Sequence, residues 1–166
     1  MPPADDFERE DPRLSLVLSE VTRALTQQLS AIDALRTRAG TVVAAASLAS
    51  SFLGAAVLAD NSLRCLTLLF TILALFMLVV TLVSTIVILW PYVWKTGFDA
   101  KVAIADYVEA DEPATLNEMR RSFAWYIQED VAGNQAKLDS LYGTFRVAVV
   151  SLGLQVCFWL AALALR

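Results

Sequence analysis

The chain contains no histidine, so it lacks both the usual general base near neutral pH and the commonest metal ligand. It has two cysteines, Cys65 and Cys157, both in apolar segments and without CxxC or zinc-ligand spacing. That excludes a disulfide framework, and both are expected to be small buried hydrophobes. Charge is scarce as well. Only 18% of the 166 residues are charged and 57% are hydrophobic, where a soluble domain carries about 25% charged residues. The net charge of −4 argues against a nucleic-acid partner, which requires a basic face.

The chain also lacks ionisable side chains inside its long apolar runs. Proton-coupled transporters, pumps and voltage sensors are built around such groups. Paired intramembrane aspartates, a HExxH site, a P-loop and a dinucleotide fingerprint are all absent. With no nucleophile–base pair or metal constellation, the expectation is a non-enzymatic protein without a cofactor. Residues 1–13 are rich in Pro, Asp and Glu and have no signal-peptide core; they read as a disordered acidic tail.

What the chain does have is three uncharged runs, 39–59, 65–94 and 147–165. Each provides the roughly 20 helical residues needed to cross about 30 Å of hydrocarbon. The first run carries small residues at four-residue spacing: Gly40 and Ala44; Ser47, Ser51 and Ala55; Ala46, Ser50 and Gly54. Such spacing permits close helix approach in lipid, which places this span inside a bundle. The second run ends in Trp90, Pro91, Tyr92 and Trp94 before Lys95, an interfacial aromatic belt, with the helix ending or kinking at Pro91. It reads as a plain lipid anchor. In the third run Gln155 is the most polar deep residue and is expected to bond across helices.

Of thirteen Lys and Arg residues, only Arg64 and Arg166 lie on the side of the short 60–64 connector. The positive-inside rule therefore puts the N terminus in the cytosol and the C terminus outside a cell membrane crossed several times.

The expected fold is all-α, a single helical membrane domain over 14–166. Its first and third spans extend into the cytosol as a coiled-coil-like layer, over about 14–38 and 99–146. Before the first span the apolar positions follow a heptad: Leu14, Leu18, Val21, Leu25, Gln28, Ile32, Leu35, Ala39, Val42. Gly97 marks a turn and Asp99 a cap for a short amphipathic helix over about 100–110, broken by Asp111-Glu112-Pro113. Thr115 and Glu118 have capping-box spacing at the head of the last helix. Its stripe is Leu116, Met119, Phe123, Ile127, Val131, Asn134, Leu138, Leu141, Phe145, with a stutter at Ile127.

Gln28 and Asn134 are the polar positions in these two seams. At 1.5 Å per residue they stand roughly 17 and 20 Å before their spans, so they are expected to share one polar layer. Such a layer fixes register at a cost in stability, and Leu at both positions would then stabilise the chain. The alternative is two separately solvated amides.

Candidate ligand contacts are basic: Arg36, Arg38, Arg120, Arg121, Lys137 and Arg146. Arg suits bidentate phosphate contacts. Arg36, Arg38 and Arg146 equally suit anionic headgroups of the lipid bilayer, and solvated charge is the plain alternative for all six.

The order of parts carries a resemblance. Leu35-Arg36-Thr37-Arg38-Ala39-Gly40 leads into a small-residue span, and the second span ends in Leu89-Trp90-Pro91. Asp106-Tyr107 follows, then Asn134-Gln135-Ala136-Lys137-Leu138 on a long helix entering the last span. Over roughly 25–165 this resembles the membrane effectors of Pycsar antiphage systems and, more loosely, the SLATT class of nucleotide-signalling effectors. The resemblance implies an antiviral defence protein that senses cyclic UMP or cyclic CMP, assembles as a homo-oligomer and impairs membrane integrity. The competing expectation is a membrane scaffold whose cytosolic coiled coil recruits a protein partner.

Overall fold

The computed structural model of the protein describes residues 11–59, 65–95, 101, 104–109 and 114–165. The first ten residues of the expected tail, the 60–64 connector, Gly97, the cap at Asp99 and the break at 111–113 lie outside the described residues. Among the described residues the chain is all-helical, with three long helices and no strand. They are α1 (Pro12–Leu58), α2 (Cys65–Leu89) and α3 (Leu116–Ala164), joined by a π-helical turn at Ile104–Val108.

The helix boundaries follow local chemistry. α1 opens on Asp11-Pro12, two residues before the expected start at Leu14. The Asp11 carboxylate accepts from the Arg13 N–H at 2.8 Å, and Pro12 takes the first helical position, where its missing N–H costs nothing. α2 stops at Leu89, just before Pro91, as the missing donor dictates. α3 starts on the Thr115–Glu118 box: the Thr115 N–H donates to the Glu118 carboxylate at 2.8 Å, and the Glu118 N–H to the Thr115 hydroxyl at 3.3 Å. The expected short helix near 100–110 is described only as the wider π turn, closed by the Glu109 N–H on the Ile104 carbonyl at 2.9 Å.

The chain divides into two compact units. One comprises Met1–Ala31 and Val93–Leu138, the other Ile32–Tyr92 and Asp139–Arg166. The second unit holds the apolar lengths of all three helices. Each of these helices is long and apolar enough to cross a membrane, which is compatible with a multi-pass membrane protein.

Burial in the second unit is inverted relative to a water-soluble protein. The inward positions of α2 are Thr67, Thr71, Ala74, Thr81, Ser84, Thr85 and Ile88, while Leu66, Leu69, Ile72, Phe76, Val79, Val83 and Ile86 face outward. Hydroxyls go inward without penalty because three bond their own helix: Thr71 to the Thr67 carbonyl, Thr81 to Met77 and Thr85 to Thr81, at 2.8–2.9 Å. Lipid tails are as apolar as Leu, so small residues that let backbones approach win the interior. α2 is therefore more than a lipid anchor, because its inner face is a packing surface.

The same logic corrects the cysteines. Both are exposed rather than buried, since an apolar side chain loses nothing by facing hydrocarbon. Nor is the first span the most enclosed. Only 17% of its apolar window is buried, against 28% for those of α2 and α3. Of its small-residue series, Ala46 and Gly54 point inward with Ser50 half-buried beside them, while Gly40, Ala44, Ser47, Ser51 and Ala55 are exposed.

Val57, Ala74, Trp159 and Ala162 form the apolar core of the second unit, flanked by Leu53, Phe70 and Phe158. The Phe70 and Phe158 rings lie 6.2 Å apart. Gly54 gives Trp159 room here: a Cβ at that position would stand 3.1 Å from the ring, so the ring would have to give way by a few tenths of an ångström.

Candidate functional site

The second unit holds one cross-helix polar clasp. The Gln155 side-chain N–H donates to the Ala46 carbonyl at 2.9 Å and to the Ser50 hydroxyl at 2.7 Å. The Trp159 indole N–H donates to the same hydroxyl at 3.2 Å. Gln155 thus bonds across helices, as its position in the span suggested. Its Oε1 is fully buried with no hydrogen-bond partner among the described residues.

In the first unit, Gln28 and Asn134 are both buried but engage different partners. Gln28 Nε2 donates to the Val131 carbonyl at 3.0 Å and to the Gln135 side chain at 2.9 Å. These partners flank Asn134 in sequence, so the two amides lie at one level of the unit. Asn134 instead closes on a peptide: its Nδ2 donates to the Lys95 carbonyl at 2.7 Å, and the Lys95 N–H donates to Oδ1 at 3.3 Å. Lys137 Nζ donates to the Val93 carbonyl at 3.1 Å. One turn of α3 therefore fastens the stretch that follows Pro91.

The six basic candidates do not converge on one site. Arg120 lines an open groove of about 780 Å³ on the first unit, with Ser15, Ser19, Thr22, Arg23 and Thr26 of α1. Arg121 lines a smaller groove of about 390 Å³ with Val17, Val21 and Trp125. Lys137 is engaged with the backbone. Arg38 and Arg146 are exposed on the second unit, and the half-buried Arg36 there has an Nε with no partner among the described residues.

Arg23 was missed as a site candidate. The signal for it was the hydroxyl series at positions 15, 19, 22 and 26, whose three- and four-residue steps put it on one face beside Arg23. Those hydroxyls donate to their own helix, at 2.7–2.9 Å, which leaves their lone pairs outward as acceptors. The groove is therefore lined by two arginines, Arg23 and Arg120, over a neutral hydroxyl-bearing face of α1. Arg23 also lies 4.0 Å from the Glu20 carboxylate, but that pair is largely solvent-exposed and so holds it weakly.

The Glu118 carboxyl is held below the ordinary carboxylate range, first by the Thr115 backbone N–H and then by its hydroxyl. The group is fully exposed, so this is a helix cap rather than a catalytic acid. No group of three or more Asp, Glu or Cys side chains that could hold a metal occurs among the described residues. Comparison with known proteins found no family model, no curated protein and no solved structure that matches the chain.

Proposed function

We propose that the chain is a non-enzymatic, multi-pass effector of the cell membrane. It responds to a cytosolic cyclic pyrimidine mononucleotide, cyclic UMP or cyclic CMP, by homo-oligomerising and impairing membrane integrity. The observation that carries the reading is the groove lined by Arg23 and Arg120. Its volume of about 780 Å³ lies within the roughly 300–1,000 Å³ of small-molecule sites, and its guanidinium groups suit a phosphate diester. The apolar outer surface of the second unit supports the membrane part of the reading. The resemblance to Pycsar effectors supplies the ligand class.

The test is expression in cells, with membrane potential read before and after cyclic UMP or cyclic CMP is supplied, alongside calorimetry on the purified chain. Depolarisation and saturable binding are expected, and both should be weakened by Arg120→Ala combined with Arg23→Ala. Absence of both responses would sink the ligand-gated reading.

A second reading is a scaffold that recruits a protein partner. It is favoured by the apolar groove of Val17, Val21 and Trp125, in which Trp125 is 69% exposed. Cross-linking in cells separates the two, giving a ladder of one chain for the effector and a heteromer for the scaffold.

A further inference from the structure

The first unit carries a second concave site of different chemistry. It is an open pocket of about 520 Å³ lined by Tyr107, Ser122, Trp125, Tyr126, Gln128 and Glu129. Three aromatic rings contribute to it. Trp125 and Tyr126 are 69% and 54% exposed, although aromatic rings on a helix normally gain by burial. The formal charge on its lining is negative, from Glu129, and no Lys or Arg lines it among the described residues.

Tyr107 reaches this pocket from the π turn rather than from α3. Its ring stands perpendicular to Phe123, 5.8 Å between centroids, and its carbonyl accepts from the Ala114 N–H at 3.1 Å. The ring is thus held in place before any ligand arrives. Single π turns recur at functional sites because they re-aim one side chain, and here that side chain is an aromatic wall.

We propose that this pocket binds an organic ammonium cation of the trimethylammonium class. Ring faces carry negative quadrupole charge and attract a cation that cannot satisfy itself by hydrogen bonding, and a carboxylate at the rim adds an opposite charge. An anionic ligand would meet Glu129 and three aromatic residues with no Lys or Arg lining the pocket among the described residues to offset them, so this is not a second phosphate site. The cation is one free in solution, since Trp125 lies 22 residues before Val147 on α3, roughly 33 Å before the third span at 1.5 Å per residue. The inference stands independently of the cyclic-nucleotide reading, since it uses neither Arg23 nor Arg120.

The test is calorimetric titration of the full chain in a neutral maltoside detergent with choline and, separately, with its uncharged isostere 3,3-dimethylbutanol. Saturable choline binding is expected, with the isostere weaker by about two- to fivefold, the range that a solvent-exposed cation–π contact supplies. Trp125→Leu and Glu129→Gln should each weaken choline binding. Both positions are solvent-exposed, and unchanged helical circular dichroism would show that the fold is intact. No saturable choline binding, equal binding of the isostere, or binding unchanged in Trp125→Leu would overturn the proposal.

Discussion

The side-chain amide of Asn134 and the peptide of Lys95 bond each other in both directions, at 2.7 and 3.3 Å. A carboxamide has the donor and acceptor geometry of a peptide group, so Asn134 replaces the strand or helix neighbour that Lys95 lacks. Asn134→Leu keeps the side-chain size but strands both peptide groups. It should destabilise the first unit by about 0.5–1.5 kcal/mol, the net worth of a hydrogen bond whose Lys95 partner is exposed to water. Gln28→Leu should differ: it removes a buried Oε1 that has no partner among the described residues, the contact to the Val131 carbonyl, and the bond to the Gln135 side chain, which is exposed and can be met by water. Thermal unfolding in detergent should order the variants with Gln28→Leu near the parent and Asn134→Leu well below it. Hydrogen exchange at Lys95 should accelerate only in Asn134→Leu.

Ser50 receives two donors, from Gln155 and Trp159, so the smallest member of the clasp matters most. Ser50→Ala leaves the Trp159 indole N–H without that partner and should cost about 1–3 kcal/mol. Gln155→Met loses two bonds of a kind averaging about 0.6 kcal/mol in membrane proteins, but also removes an unpartnered oxygen. Its net cost should stay below about 1 kcal/mol. Equal losses in the two variants would contradict this division.

Gly54 and Trp159 should be energetically coupled. A Val at position 54 drives its side chain into a ring already 3.1 Å from the Cβ position, an overpacking worth about 1–3 kcal/mol. Trp159→Phe withdraws the ring edge, so Gly54→Val should cost less in that background. A double-mutant cycle by unfolding in micelles measures the difference, and additivity would refute the contact.

Glu118 makes the start of α3 pH-sensitive. Its carboxyl is depressed in the folded chain, so the capping contribution is present above the unfolded value of about 4.3. It is lost as pH falls through the lower folded value. The hydrogen-exchange protection factor at the head of α3, which removes the intrinsic pH dependence of exchange, should fall on acidification below that range. In Glu118→Gln the dependence should flatten, since an amide does not titrate.

The proposed orientation, with the N terminus cytosolic, would put Cys65 at the outer boundary. A membrane-impermeant maleimide should label it on intact cells and leave Cys157, which faces lipid, unreacted. Labelling of Cys65 only after lysis would reverse the proposed orientation.

The three long helices were legible because uncharged length, the Pro91 stop and the Thr115–Glu118 box are local signals. So was the lie of α1, where Gln28, Ile32, Leu35 and Ala39 are all buried. The failures have one physical source. Apolarity predicts burial only when the surrounding solvent is water, so it misplaced Cys65 and Cys157 and hid the inward face of α2. In α3 the apolar stripe named Leu116, which is 47% exposed, and passed over Ala124, which is buried, because a stutter rotates the inward face. Neither ligand groove was legible as a whole. Each combines residues of α3 with others supplied by α1 or the π turn, more than ten positions away in sequence.

The line of small and hydroxyl residues inside α2 also determines how the chain is able to diverge. Its outward Leu, Ile, Val and Phe residues are exposed, and in the proposed membrane setting they would meet fluid hydrocarbon, where they are interchangeable. The inward positions Thr67, Thr71, Ala74, Thr81, Ser84, Thr85 and Ile88, spaced by four, three, seven, three, one and three residues, are buried against the rest of the unit. Drift will therefore rewrite most letters of this segment while keeping that rhythm. Relatives should be recognised by the recurrence of compact side chains at those intervals, even where the count of identical residues has fallen to background.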